Sequence, residues 1–173
     1  QSTLCINDTS VIKFERNKII NSAFGNSIKS SFKVSNITNE DNDLITSTSA
    51  SHDAYENNFG CNHFREIKID KKTNILYGMD KIINNQIGVK KKFCIFFHLF
   101  PGISAVPTLG GNSILIHIKK NKSLIFQSSN QNLSIEKSIF LGGNKILNNK
   151  CISIIGDIIN EKKIISWEIK KTT

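Results

Sequence analysis

One short stretch of the 173-residue chain concentrates side chains that can do chemistry. His52, Asp53, Tyr55, His63 and Arg65 all lie within about 14 residues, and imidazole and carboxylate groups are zinc ligands, while a guanidinium pairs with a carboxylate through two hydrogen bonds. The stretch could therefore bind a metal ion or recognise an acidic sugar, and its spacing specifies neither. A histidine beside an aspartate is also a common hydrogen-bonded turn element, so a purely structural role stays open.

Three other residues have side chains that could take part in chemistry, but each is expected to have a structural role. His98 and His117 alternate with apolar neighbours, so each is expected to be a strand histidine. Trp167 lies between isoleucines and is expected in the core. The sequence contains no P-loop, no G-x-S-x-G motif and no dinucleotide-binding fingerprint.

The elements that must position these residues have an apolar pattern with a period of two, which is typical of a strand with one face in water. Ile67 and Ile69, for example, share one face while Lys68 lies on the other. No segment keeps the apolar spacing of an amphipathic helix. We predict an all-β fold, an antiparallel multi-stranded β-sandwich of about eleven strands with little or no helix, in one domain over residues 1–173. Besides 64–70, the predicted strands are 2–6, 10–14, 30–36, 43–51, 74–83, 93–100, 112–118, 122–127, 133–140, 151–159 and 162–170.

The connections between these strands carry the turn signals. Residues 37–43 are strongly polar and are expected to form a surface loop, and residues 52–62 are expected to form the irregular connection that carries the chemical groups. Asn121-Lys122 and the segment 160–163 each separate two predicted strands. Both strand pairs are therefore predicted to be hairpins.

The charge of the chain is strongly positive. Lys and Arg total 23 against 14 Asp and Glu, which gives a formal net charge of +9 and would by itself favour an anionic partner. The joint abundance of Lys, Asn and Ile is also typical of an AT-rich genome. The lysines fall at predicted turns and strand ends, and they lack the interleaved aromatic residues of a groove that follows phosphates. We therefore expect no nucleic-acid partner and keep nucleic-acid binding only as a third hypothesis.

Membrane and cysteine patterns exclude further classes. No apolar run reaches the roughly 18 residues of a membrane-spanning helix, so no membrane span is expected. Cys5, Cys61, Cys94 and Cys151 show no C-x-x-C spacing and are expected to be buried free thiols. Two disulfides in the periplasm remain an alternative.

Seven phrases, in order along the chain, resemble the C-terminal β-sandwich of the heparinase II/III family of polysaccharide lyases, in its alphaproteobacterial-type branch. The resemblance covers essentially the whole sequence. The phrases are similar to the family's H-S-T-L opening, its S-H-D-G-Y, H-x-R, L-x-G-x-D and F-H-L-H-P motifs, its L-x-x-E-x-S-x-Y/F segment and its closing strand with a Trp. They occur here at Ser2–Ser10, Ser51–Tyr55, His63–Ile67, Leu76–Asp80, Phe97–Pro101, Leu133–Phe140 and Ile165–Ile169.

The resemblance implies part of an enzyme that cleaves uronic-acid-containing polysaccharides by β-elimination. In such lyases a helical toroid domain supplies most of the catalytic residues, and the sandwich packs against it and lines one wall of the cleft. The expected partners are an acidic polysaccharide and an N-terminal helical domain that is absent from these residues. We expect no catalytic residue and no turnover in this chain alone, and the candidates for contact with the glycan are His52, Asp53, Tyr55, His63 and Arg65.

No cofactor is expected, although some family members hold a zinc ion in the sandwich. His52, Asp53 and His63 are the only candidate ligands clustered in sequence. The chain departs from the family pattern at Gln1, where the family often has a histidine, and at Ala54 and Phe100.

The alternative function is a non-catalytic sandwich that binds carbohydrate or acts as a scaffold. The chain is expected to be a piece of a longer protein. The lyase interpretation implies a periplasmic or cell-envelope location, and the cytoplasm stays open.

Overall fold

The computed structural model describes residues 2–13, 31–119, 122–129, 132–142 and 145–172, together with the single positions 18, 19, 22, 25 and 28. Strands account for 68% of the structure and helix for 5%, which confirms the predicted all-β sandwich. No helix in the described part of the chain is long and apolar enough to span a membrane.

Apart from the helical positions 18, 19 and 22, the described residues form twelve strands and one single-turn helix, α1. In chain order they are β1 Leu4–Ile6, β2 Val34–Asp41, β3 Ile45–Tyr55, α1 Glu56–Phe59, β4 Cys61–Asp70, β5 Ile75–Asn84, β6 Lys91–His98, β7 Ser104–Pro107, β8 Ser113–Lys119, β9 Lys122–Ser128, β10 Leu133–Gly142, β11 Lys145–Ile158 and β12 Lys162–Lys171.

The strands build two antiparallel sheets that pack face to face. The smaller sheet has the order β1-β6-β11-β10, and the larger has the order β2-β3-β4-β5-β12-β9-β8-β7. Alternate side chains of both sheets meet between them, as the period-two pattern requires. Ile95 and Ile154 from the smaller sheet and Ile82, Phe126 and Ile165 from the larger one are fully buried there.

Several predicted boundaries were wrong. Most of 37–43 belongs to the edge strand β2, and the loop is reduced to a tight turn in which the Asn42 side chain accepts hydrogen bonds from the backbone N–H groups of Leu44 and Ile45. Residues 10–13 of the predicted strand 10–14 are not in a strand, and Phe14 lies outside the described residues.

The predicted hairpins had different outcomes. β8 and β9 pair as expected, although the turn at Lys120 and Asn121 lies outside the described residues. The last two strands do not form a hairpin, because β11 belongs to the smaller sheet and β12 to the larger one. Their connection at 159–161 therefore crosses from one sheet to the other.

The structural roles predicted for His98, His117 and Trp167 are confirmed. The His98 ring bonds to Ser138 on β10 at 2.9 Å, and the His117 ring bonds to Ser123 on β9 at 2.9 Å. Trp167 is only 5% exposed and belongs to the core. All four cysteines are free, and three of them are buried while Cys5 is half-buried.

Candidate functional site

A fully buried carboxylate anchors a chain of hydrogen bonds through two histidines. Oδ1 of Asp80 lies 2.6 Å from Nε2 of His63, and Nδ1 of His63 lies 3.0 Å from Nε2 of His52. The backbone N–H of Ala54 donates to Nδ1 of His52 at 3.4 Å. An ionised carboxylate can only accept and a backbone N–H can only donate, so with both rings neutral every proton in this chain points towards Asp80.

Asp80 accepts from two further side chains. Nε of Arg65 donates to Oδ1 at 2.7 Å, and the indole N–H of Trp167 donates to Oδ2 at 2.9 Å. Nη1 of Arg65 also donates to the carbonyl oxygen of Ser2 at 2.7 Å, which ties the start of β1 to β4. Nη2 of Arg65 is buried and has no hydrogen-bond partner among the described residues. We call Asp80, His63, His52, Arg65 and Trp167 the Asp80 network.

Burial and pairing act in opposite directions on the carboxylate. Burial by itself raises the pKa of Asp80, but the hydrogen bond from His63 and the charge of Arg65 outweigh it and hold that pKa below its usual value. The carboxylate is therefore ionised at neutral pH and supplies the negative charge that orients its donors.

Strand register explains how these residues meet. His52 lies directly opposite His63 in the β3–β4 pair, and Arg65 lies directly opposite Asp80 in the β4–β5 pair. Opposed residues of antiparallel strands place their side chains on the same face, about 5 Å apart. Trp167 joins from β12, where it lies opposite Gly78, two residues before Asp80.

The expected irregular connection at 52–62 was wrong. β3 continues to Tyr55, α1 makes a single turn, and β4 begins at Cys61, so His52, Asp53 and Tyr55 all belong to a strand. The pairing register shifts between His52 and Tyr55, which is the signature of a β-bulge.

Two of the predicted contact residues, Tyr55 and Asp53, make hydrogen bonds that hold other segments of the domain in place. Tyr55 is 1% exposed, and its hydroxyl donates to the carbonyl oxygen of Leu4 at 2.5 Å, so this residue is part of the core and does not face a ligand. Burial also raises the pKa of Tyr55 above its usual value. Oδ1 of Asp53 accepts from the backbone N–H of Lys33 at 2.7 Å and so holds the start of β2.

The candidate zinc ligands do not form a metal site. Asp53 follows His52 in a strand and bonds to the Lys33 backbone, while the rings of His52 and His63 bond to each other. Within the described residues, no group of three or more His, Cys, Asp or Glu side chains could hold a metal ion. The donor set of His52, Asp53 and His63 therefore does not fit zinc.

A polar pocket of about 530 Å³ adjoins the Asp80 network. Three of the five predicted contact residues, His52, Asp53 and His63, line it, whereas Tyr55 and Arg65 do not. Most of the other lining residues carry polar or charged side chains; they are Lys33, Ser35, Asn36, Ser51, Asn62, Phe64, Lys81 and Ile83. We call this cavity the polar pocket.

Sequence reasoning missed three important members of this region. Asp80 was noted only as the last residue of the L-x-G-x-D phrase, although it anchors the whole network. Lys33 and Lys81 were not singled out, because they lie about 20 and 30 residues from the His52 segment in sequence. Reading Asp80 as the cross-strand partner of Arg65 would have found it.

The network predicts a specific dependence of stability on pH. Burial above all, together with the nearby positive charge of Arg65, lowers the pKa of His52 from its usual 6.5 to about 4. Between these two values the unfolded chain binds a proton that the folded chain does not, so stability falls as the pH decreases. We expect the free energy of unfolding to decrease by about 1–2 kcal/mol over this interval, allowing for solvent screening of a half-buried ring.

Urea unfolding at several pH values between 4 and 7 measures this effect. A His52→Gln variant should have a flatter pH profile in this interval, since Gln does not titrate. Loss of the Asp80 charge acts only at lower pH, because the pKa of Asp80 lies below its usual 3.8. Identical pH profiles for the two proteins would contradict the neutral, buried state of His52.

Comparison with known proteins gives a consistent family assignment. The family description "Heparinase II/III-like, C-terminal" matches residues 1–168. The chain is similar to the crystal structure of heparan sulfate lyase HepC from Pedobacter heparinus, with a TM-score of 0.72 and 14% identity over 98% of this chain and 24% of that one. It is also similar to the crystal structure of heparinase III, with a TM-score of 0.68 and 14% identity over 99% of this chain and 23% of that one.

At this level of identity the two structures show a shared fold, and the chain spans about a quarter of their length. No curated protein matches the chain. The match over residues 1–168, together with the two-sheet architecture and the ordered phrases of the sequence, shows that the chain belongs to the heparinase II/III-like family, as its C-terminal domain.

Proposed function

We propose that this domain forms one wall of the substrate cleft in a polysaccharide lyase that cleaves uronic-acid-containing chains by β-elimination. In this proposal it packs against a catalytic helical domain of a longer polypeptide. Family membership over residues 1–168 supports the proposal and favours it over a free-standing carbohydrate-binding or scaffolding module. The solved relatives named as lyases of heparan sulfate make that glycan the first substrate to test.

The chemistry of β-elimination assigns this domain a binding role. The reaction needs a base for the proton next to the uronate carboxylate, a group that neutralises that carboxylate, and an acid for the leaving oxygen. Both ring nitrogens of His52 and of His63 are already hydrogen-bonded, and the phenol of Tyr55 is buried. None of these groups is placed to transfer a proton to or from a substrate, so we expect no turnover by these residues alone.

The polar pocket is the observation that carries the proposal. Two lysines, Lys33 and Lys81, line it, and within the described residues neither forms an ion pair. A carboxylate or sulfate group is the complement of such a pair of cations. Asn62 and Asn36 add amide groups that can bond to sugar hydroxyls.

Two contacts hold the lysine-bearing parts of the pocket wall in place. The hydrogen bond from the Lys33 backbone N–H to the Asp53 side chain fixes the residue immediately before β2. Lys81 lies over the Phe64 ring, with Nζ 4.8 Å from the ring centroid, which restrains its long side chain. A restrained cation loses less entropy when it binds an anion.

Binding of acidic oligosaccharides tests this role directly. Titration of the 173-residue chain with heparan sulfate oligosaccharides should shift the NMR signals of Lys33, Asn62 and Lys81. A variant with both Lys33→Gln and Lys81→Gln should bind about tenfold more weakly, because two charge-assisted hydrogen bonds are lost. The matched control is the double variant Lys72→Gln and Lys162→Gln, which removes two exposed lysines outside the pocket, one in the β4–β5 turn and one at the start of β12, and should change binding little. Equal weakening by both variants would show that only overall charge matters.

Turnover tests the lyase assignment. The longer polypeptide should produce unsaturated uronate from heparan sulfate or another uronic-acid polysaccharide, measured by ultraviolet absorbance, whereas the 173-residue chain should not. Absence of cleavage by the longer polypeptide on every such substrate would contradict the lyase assignment. Cleavage by the 173-residue chain would contradict the proposal that this domain binds substrate while another domain catalyses the reaction. We also propose a periplasmic or cell-envelope location, where polymeric substrates are accessible, and cell fractionation tests it.

A further inference from the structure

The β10–β11 hairpin extends beyond the sheet to which it belongs. These strands pair from Leu133 opposite Ile154 to Gly142 opposite Lys145, whereas β6 pairs with β11 only from Cys151 onwards. In the described part of the chain, 138–142 and 145–149 therefore form a two-stranded ribbon with no third strand beside it. An isolated two-stranded hairpin is marginally stable in water and needs a surface to pack against.

One face of this ribbon is apolar and open to solvent. Leu141 lies directly opposite Ile146, and Ile139 is two residues before Leu141, so all three side chains point to the same side. Their exposed fractions are 58% for Ile139, 71% for Leu141 and 74% for Ile146. We call these three residues the apolar patch.

The Phe140 ring covers part of the opposite face of the ribbon. It packs against Phe100 with the centroids 5.2 Å apart, and it also lies across Gly142, where an added Cβ would meet it at 2.1 Å. Leu147, which lies opposite Phe140 on that face, is 41% exposed, so the most exposed apolar side chains of the ribbon are those of the apolar patch. A contiguous apolar face of this kind marks an interaction site.

Two lysines flank the apolar patch and indicate the charge of its partner. Lys137 lies directly opposite Lys150, on the same face and two residues before Ile139. Like charges directly opposite each other are destabilising, and neither lysine forms an ion pair with a described residue. Carboxylates on a partner surface would remove this repulsion.

We propose that the apolar patch docks against another domain of the longer polypeptide, at a surface that is apolar in the centre and carries carboxylates beside Lys137 and Lys150. This inference rests on the proposed function, in which the chain is one domain of a larger lyase. The solved relatives are consistent with it, since the chain covers only 24% of heparan sulfate lyase HepC.

Two other occupants fit the patch less well. A second copy of the chain would bind through the same patch on both molecules, so a symmetric contact would bring four lysines together. A glycan is recognised by stacking on aromatic rings, whereas Ile139, Leu141 and Ile146 are aliphatic. A protein surface that is apolar in the centre and negatively charged at its edge complements both the apolar patch and the two flanking lysines.

The ribbon lies beside the Asp80 network, so docking would bring the other domain to the same end of the sandwich. The ring of His98 bonds to Ser138 in the ribbon at 2.9 Å, and the backbone N–H of His98 donates to Oγ of Ser2 at 3.1 Å. The carbonyl oxygen of Ser2 in turn accepts from Arg65 at 2.7 Å. These contacts place the base of the ribbon and Arg65 at the same end of the sandwich.

Hydrogen exchange of the ribbon amides tests the proposal. Amides in 139–142 and 145–147 should exchange at least about tenfold more slowly in the longer polypeptide than in the 173-residue chain, because docking covers the patch. In the longer polypeptide, Ile146→Ser should restore fast exchange, and Lys150→Glu should do so without removing an apolar side chain. The matched control is Ile87→Ser, because Ile87 is 65% exposed in the β5–β6 turn and should leave ribbon exchange unchanged.

Each contrary result has a distinct meaning. Fast ribbon exchange in a longer polypeptide that still cleaves uronic-acid polysaccharide would overturn the docking proposal and leave the proposed function intact. Slow ribbon exchange without cleavage would support docking and contradict the lyase. Sedimentation that shows dimers of the 173-residue chain, lost in Ile146→Ser, would assign the patch to a second copy and overturn the proposal. Protection that depends on added oligosaccharide would assign it to the glycan and overturn it too.

Discussion

Asp80→Ala is expected to destabilise the domain by about 3–5 kcal/mol, the cost of leaving a buried charge without its partner. Asp80 is fully buried and accepts hydrogen bonds from His63, Arg65 and Trp167 at 2.6, 2.7 and 2.9 Å. Alanine leaves all three donors without an acceptor, and one of them is a guanidinium. The midpoint of urea unfolding, followed by circular dichroism, measures the loss.

Asp157→Ala is the matched control for this prediction. Asp157 also forms an ion pair with a cation, Lys90, at 3.0 Å, but both side chains are about half exposed or more. Exposed pairs of this kind contribute less than about 1 kcal/mol. An Asp80→Ala variant no less stable than Asp157→Ala would show that the Asp80 network does not hold the domain together. The substitution Asp80→Asn keeps the shape and one acceptor oxygen, so its effect should lie between the two.

Gly78→Ala is expected to cost about 2–4 kcal/mol, because it overpacks the core at its most crowded aromatic contact. A Cβ at position 78 would lie 2.0 Å from the Trp167 ring. That ring is held between Phe97 and Phe126, with centroid distances of 4.8 and 6.1 Å, so it cannot move aside freely. Any shift of the indole also breaks its hydrogen bond to Asp80.

Trp167 is the only tryptophan in the sequence, so its fluorescence and near-ultraviolet circular dichroism report the displacement directly. Gly110→Ala is the control, since a Cβ at Gly110 would meet nothing within 4 Å. It should change neither stability nor the Trp167 signal. A Gly78→Ala variant with native fluorescence and native stability would contradict the crowded packing described here.

The sequence predicted the sheets well wherever one face of a strand is buried. Ile67 packs against the core from one face of β4, so its alternation with charged neighbours predicts the strand, although Ile69 on the same face is 44% exposed. The alternation failed for residues 37–41 of β2, a strand whose eight residues are all exposed, and only 34–36 fell within the predicted strand 30–36. A strand exposed on both faces needs no apolar alternation, and its Ser, Asn, Thr, Glu and Asp residues looked like a loop.

The positions of the candidate site residues were also predicted only in part from the sequence. The cluster of His52, Asp53 and His63 was predicted because these residues are close in sequence, and the structure does bring all three to the polar pocket. Tyr55 was chosen by the same proximity, and its ring lies in the core, beyond the shift of register that follows His52. Contact of the remaining residues with a glycan stays a prediction.

By itself, the amino-acid sequence determined the all-β class and the family, since each depends on local alternation or on phrases of a few residues. Only the tertiary structure decided that Asp80 anchors His63, Arg65 and Trp167, and that β11 and β12 separate into different sheets. The physical reason is register: which residues face each other across neighbouring strands depends on the packing of the whole sandwich, and a shift of one residue would turn Asp80 away from all three of its donors.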